Sequence, residues 1–215
     1  SSTPIIGRQL ELAALDRALG EPVPGHQRLV MLLGEAGIGK SRVLAEFRAR
    51  ALARGARVLL GRAYESAQIV PFAPWVDALR RGGAIADAVV RHLDPIWRRE
   101  LVRLFPELVE RGREPAEAAD DAGRLFEGVA QLLEHFALMQ PVVILLEDLH
   151  WADAMTIRLL ASLARRPRRR PLVLVASARD DELGDAKLLR TALDELAAER
   201  RLDRLVLGPL SRVQT

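Results

Sequence analysis

The sequence predicts a three-layer α/β fold with a parallel five-stranded sheet, and three observations carry that prediction. Five short apolar runs alternate with segments of helical spacing. A strand, a glycine-rich turn, a helix and a second strand succeed one another between Arg28 and Arg62, which is a βαβ unit and implies parallel strands with a right-handed crossover. The third is the unbroken apolar run Val142 to Leu146, suited to a central strand covered on both faces.

The elements follow in order. Gln9 to Leu19 carries leucines at 10, 12, 15 and 19, a mostly helical spacing, and ends at Gly20 before Pro22 and Pro24. The strand Arg28 to Leu33 leads through Gly34-Glu35-Ala36-Gly37-Ile38-Gly39 into a helix from about Lys40 to Arg54, stopped by Gly55. A second strand, Arg57 to Arg62, comes next. From about residue 63 to 117, prolines at 71, 74, 95, 106 and 115 break the chain into short helical pieces, read as an insertion with Trp75, Trp97 and Phe105 in its core. A longer helix, about Asp120 to Met139, precedes the third strand. The remainder reads as a helix (Ala154 to Ala164), a basic turn (Arg165 to Arg170), a strand (Leu172 to Ala176), a helix (Asp185 to Arg200) and a last strand (Leu202 to Leu207).

Composition narrows the function classes. The 215 residues are 49% hydrophobic and suffice for one sizeable domain, with no internal repeat. Aromatic residues make up only 4%, which argues against a surface built to stack bases, and the formal charge is just +3, so no direct nucleic-acid contact is expected. Absence of cysteine excludes disulfides and thiolate metal sites. No apolar run approaches the length of a membrane span and no signal-peptide layout opens the sequence, so a cytoplasmic protein without a membrane partner is expected.

Among 32 basic residues only Lys40 and Lys187 are lysine. Gly34-Glu35-Ala36-Gly37-Ile38-Gly39-Lys40-Ser41 fits the P-loop pattern at every fixed position, between a strand and a helix as its mechanism requires. The glycines allow backbone N–H groups to converge on phosphate oxygens, and the helix that begins at Lys40-Ser41-Arg42 adds the positive end of its dipole. Lys40 supplies a compact ammonium to the β and γ phosphates where a planar guanidinium would not fit, and Ser41 a hydroxyl to Mg²⁺. Such a site needs a carboxylate at the end of another strand. Glu147 and Asp148 stand directly after the third strand: one can orient the Mg²⁺ shell and the other polarise the attacking water, and spacing alone leaves the division of roles open. His150, Trp151 and Asp153 read first as packing or capping residues of the next helix. Arg179, at the tip of the fourth strand, is a candidate sensor of the γ-phosphate, the alternative being an ion pair with Asp180 or Asp181. The basic turn Arg165 to Arg170 reads as a solvated loop.

Four segments together resemble one family: "PIIGRQLEL" (4 to 12), "GEAGIGKSRVLAEF" (34 to 47), "VVILLEDLHWADAMTIRLLASLARR" (142 to 166) and "PLVLVASARDDEL" (171 to 183). They are similar to the nucleotide-binding domain of STAND-type ATPases, which are related to AAA+ proteins, and most of all to the large ATP-binding regulators of the LuxR family and the ATPase modules of some bacterial nucleotide cyclases. The resemblance implies the strand order 5-1-4-3-2, a place for Ile6, Gly7 and Arg8 against the adenine, and Arg179 at the sensor position. Gln9 departs from the glutamate usual after the Gly-Arg pair. Relatives of this kind continue past "LGPLS" into helical, winged-helix, sensor and output domains, so the sequence, which stops at Thr215, is expected to be one ATPase module of a transcriptional regulator. The expected cofactors are ATP or ADP and Mg²⁺. Expected partners are downstream domains of a larger regulator, with ATP-dependent self-association also foreseen.

Two other function classes stand beside this one. An AAA+-like DNA-transaction ATPase would need a subunit ring, an arginine finger and a basic channel. A small-molecule kinase would use residues 63 to 117 as its acceptor site. A GTPase is disfavoured, because neither lysine lies in a base-reading N-K-x-D or T-K-x-D tetrad.

Overall fold

A computed structural model of the chain describes residues 7–20, 29–86, 88–109, 121–167 and 171–209. Five strands, β1 (Leu29–Gly34), β2 (Arg57–Arg62), β3 (Val142–Glu147), β4 (Leu172–Arg179) and β5 (Leu202–Val206), form one sheet in the order β2-β3-β4-β1-β5. All pairings are parallel, as the alternation of strands and helices demands. The order is the expected 5-1-4-3-2 read from the opposite edge.

The strands that looked uniformly apolar are sorted by the pleat into two faces. Leu29, Met31 and Leu33 of β1, Val142, Ile144 and Leu146 of β3, and Leu174, Ala176 and Ala178 of β4 join one core. Their neighbours Val30, Leu32, Val143, Leu145, Val173 and Val175 join the other. The second core is closed by α1 (Gln9–Gly20), through Leu12, Leu15 and Leu19, and by α2 (Lys40–Ala53), through Val43, Leu44, Phe47 and Ala51. The first and larger core is closed by α3 (Ala73–Arg81), α6 (Ala122–Met139), α7 (Ala154–Arg165) and α8 (Lys187–Ala198), with the short helices α4 (Val89–His92) and α5 (Pro95–Leu101) packed against α6.

The insertion is therefore part of a layer. Its helix α3 lies across β2 and β3, and a Cβ added at Gly61 would come within 1.9 Å of the Pro74 carbonyl oxygen, so only glycine lets helix and strand approach this closely. Trp75 is fully buried and its indole N–H donates to the Thr156 carbonyl at 3.2 Å, joining α3 to α7. Phe105 is fully buried too, whereas Trp97 is only half-buried. Residues 110–117 of the expected insertion lie outside the described residues.

The parallel register fixes the place of the site. Gly34 pairs with Arg179 and Arg62 pairs with Glu147, so the last residues of β1, β2, β3 and β4 stand along the C-terminal rim of the sheet.

Candidate nucleotide site

Residues 35 to 39 join β1 to α2. Gly39, the residue before the helix, has φ 103°, a conformation that L side chains rarely adopt. At Gly34 a Cβ would lie 2.8 Å from the Leu207 carbonyl oxygen. Backbone conformation at one end of the turn and space at the other thus demand glycine.

Lys40 is folded back into this turn. Its ammonium donates to the carbonyls of Gly34 at 2.6 Å and Glu35 at 2.8 Å, and the residue is only 7% exposed. Burial pushes the Lys40 pKa below its ordinary value; Asp148 opposes that shift and Arg179 adds to it. Among the described residues no carboxylate is bonded to this buried cation. Glu35, Ala36, Gly37, Ser41 and Arg42 are exposed along the rim, Ile38 and Gly39 partly so.

The acids beside it have separate partners. Ser41 donates its hydroxyl to Glu147 Oε2 at 2.9 Å, so the first acid reaches the P-loop. Two hard oxygens held together at the head of α2 are ligands of the kind Mg²⁺ takes, alongside phosphate oxygens and water. Among the described residues no group of three or more His, Cys, Asp or Glu gathers as a metal cage. Asp148 turns the other way. It adopts φ 58° and ψ 43°, the left-handed region, which asparagine and aspartate tolerate better than most residues. Its N–H donates to the Ser177 hydroxyl at 3.3 Å, and its carboxylate accepts from Arg62 at 2.7 and 2.8 Å.

Arg179 ends β4, between β1 and β3, as its proposed sensor role requires. Its guanidinium pairs with Glu182, three residues on, rather than with Asp180 or Asp181. Its own N–H donates to His150 Nδ1 at 3.3 Å. His150 is thus more than packing: its ring is buried, tilts against Trp151 with centroids 5.1 Å apart, and sets Nε2 3.6 Å from Glu182. Burial lowers its pKa, against the raising influence of Glu182 and Asp148. Asp153 is the N-cap of α7, accepting from the Thr156 N–H at 2.9 Å and hydroxyl at 2.5 Å.

Of the residues expected near the base, Ile6 lies outside the described residues. Gly7 precedes α1 with φ 78°. Arg8 is buried and donates to the carbonyls of Ile38 at 3.1 Å and Gly208 at 2.8 Å, tying the P-loop to the segment after β5. Arg62, Ser177 and Glu182 were missed. Arg62 was within reach, because the implied strand order sets the end of β2 beside the two acids.

Comparison with known proteins agrees with the fold. Residues 4–175 match the family model described as AAA ATPase domain. An uncharacterized protein of Rhizobium meliloti (strain 1021), R02095, is 27% identical over 198 residues, an alignment covering 82% of this chain and 18% of that protein. The crystal structure of Cdc6p from Pyrobaculum aerophilum superposes with a TM-score of 0.51 at 19% identity, over 99% of this chain and 48% of that one, a similarity of fold. The Aeropyrum pernix Orc1 protein, solved in complex with DNA, gives 0.48 at 19% identity, with 99% and 48% covered. The chain thus spans about half or less of the length of the proteins it resembles. With a matching P-loop, an acidic strand end and this strand order, the chain belongs to the AAA ATPase domain family.

Proposed function

We propose that this chain is the Mg·ATP-binding switch module of a larger STAND-type regulator, one whose bound nucleotide sets the conformation of attached domains and whose hydrolysis is slow. The observation that carries the reading is the Ser41–Glu147 contact, which joins the P-loop to the acidic strand beside a buried lysine. In this reading the N–H groups of residues 34 to 42 and the Lys40 ammonium hold the phosphates, and Ser41 and Glu147 hold Mg²⁺. Asp148 polarises the attacking water. Arg179 contacts the γ-phosphate and so distinguishes ATP from ADP. Ile6 and Gly7 lie against the adenine, with Arg8 bracing the loop beneath them.

Slow turnover follows from how the hydrolytic groups are held: Asp148 is engaged by Arg62 and Arg179 by Glu182, so both must change partners. A transition-state arginine from another subunit would contribute about 10³ to 10⁵ in rate, which gives self-association its purpose. The regulator role rests on the E-D-L-H-W-A-D box at Glu147 to Asp153, through the resemblance it carries. Direct nucleic-acid binding is not part of the reading. Within the basic turn, Arg165 is paired with Glu195 and Glu199, and Arg166 with Glu127 and Glu134.

Calorimetric titration with ATP, ADP and GTP in Mg²⁺ tests this. ATP is expected to bind, GTP to bind at least tenfold more weakly, and Lys40→Ala to weaken ATP by about tenfold to a hundredfold, the worth of one or two hydrogen bonds to a charged group. Equal binding of GTP, or full ATP affinity in the folded variant, contradicts it.

A further inference from the structure

A cavity of about 660 Å³ is lined by His150 and Glu182, by the segment Leu149 to Ala152 and by the start of α8. Nothing in the nucleotide site uses it. Its apolar wall is Leu149, Trp151, Ile157 and Leu189, and its size is that of pockets which hold small molecules.

Its polar groups fall into two kinds. His150 accepts the Arg179 N–H on Nδ1, so its neutral ring carries the proton on Nε2. That nitrogen is fully buried and has no hydrogen-bond partner among the described residues, Glu182 standing 3.6 Å away, while the His150 side chain is 1% exposed. Beside it begins α8, a twelve-residue helix without a side-chain cap, whose first residue is Lys187. The Lys187 N–H already donates to the Asp185 carbonyl at 2.9 Å, which leaves His150 Nε2, the Lys187 ammonium and the N–H groups of Leu188 and Leu189 as donors for an acceptor. Glu182 and the exposed Asp185 are acceptors lining the same cavity as Trp151, a setting that suits an ammonium group.

We propose that this cavity binds a small zwitterionic aminocarboxylate with an apolar body, in the size range from an aromatic amino acid to a short peptide. Its carboxylate meets His150 Nε2, Lys187 and the first turn of α8; its ammonium meets Glu182 and Asp185; its body lies on Trp151 and Leu189. The same Glu182 carboxylate holds Arg179. A ligand ammonium that draws Glu182 toward the cavity releases Arg179 toward the nucleotide, so occupancy strengthens ATP over ADP. This coupling rests on the sensor reading of Arg179; the binding itself does not.

Nucleotide-free protein is titrated with L-phenylalanine and L-phenylalanyl-L-leucine, with N-acetyl-L-phenylalanine amide as the uncharged control. Saturable binding by at least one zwitterion, at least tenfold weaker for the control and lost in Asp185→Asn or in the cavity-filling Ala186→Phe, is the expected result. Both substitutions fall on residues that are exposed or partly exposed, so the fold is retained. No saturable binding, or equal binding of the control, overturns the site. ATP and ADP titrations are then repeated with ligand present: ATP should tighten several-fold with ADP unchanged, and the zwitterion should tighten equally when ATP is bound. Ligand binding with unaltered ATP affinity overturns the coupling. A chain that binds zwitterion but no nucleotide defeats the ATP reading alone.

Discussion

On the β1 side of the rim Lys40 is satisfied by carbonyls only five and six residues away, inside one continuous turn. On the β3 and β4 side Glu147 meets Ser41 across 106 residues, Asp148 meets Arg62 across 86, and His150 meets the Arg179 backbone across 29. The first arrangement is built by a local motif and comes with it. The second exists only once β1, β2, β3 and β4 lie side by side, so its groups can be exchanged or released without unfolding the turn. The proposed switch would need both: a cradle that persists and latches that change partners.

The sharpest way to break this comparison is to mutate the two adjacent acids separately. Asp148→Asn should bind Mg·ATP close to normally and lose hydrolysis by about 10² to 10⁴, the range for removing a positioned proton acceptor. Glu147→Gln should lose the Mg²⁺-dependent part of ATP affinity instead. Single-turnover phosphate release and equilibrium titration separate the two, and interchanged outcomes would reverse the assigned roles.

Backbone substitutions should differ by bank. Gly61→Ala drives a methyl group into the Pro74 carbonyl, and denaturant titration should show a loss of about 3 kcal/mol or more. Gly37→Ala meets nothing within 4 Å, and its φ of 75° should cost only about 1 kcal/mol.

His150 gives a pH signature to the long-range bank. Because burial lowers its pKa below the ordinary 6.5, the unfolded chain takes up a proton that the folded chain resists. Its contribution to stability is therefore complete above about pH 6.5 and is lost as pH falls from there through the lower folded value. Melting temperatures between pH 7.5 and 5.5 should fall less steeply in His150→Asn than in the wild-type chain. The smallest effect expected is that of Arg62→Ala on stability. With the Arg62 side chain half exposed, its pair with Asp148 should be worth under about 1 kcal/mol, as denaturant titration would show.

The same contrast explains what the sequence disclosed. Strand and helix positions were legible because apolar spacing is a local signal, and the P-loop because its glycines, lysine and serine are contiguous. The strand order came from resemblance alone. Arg62 as the partner of Asp148 was not legible, since charged residues abound along this chain and only the sheet order selects among them; Glu182 is only three residues from Arg179, and the turn after β4 selects it over Asp180 and Asp181. His150 looked like packing because its role depends on a backbone N–H that no side-chain pattern encodes. Trp97 looked like core and is half-buried, on the seven-residue helix α5 that packs against α6.

The most direct test of the account is the Mg²⁺ dependence of ATP affinity, measured by calorimetry in excess Mg²⁺ and in chelator, for the wild-type chain and for Glu147→Gln. The account predicts that Mg²⁺ tightens ATP binding at least tenfold in the wild type and by less than threefold in the variant, because the P-loop and the end of β3 form one site. An equal Mg²⁺ effect in both proteins, or none in the wild type, would show that the Ser41–Glu147 contact has no part in holding the nucleotide.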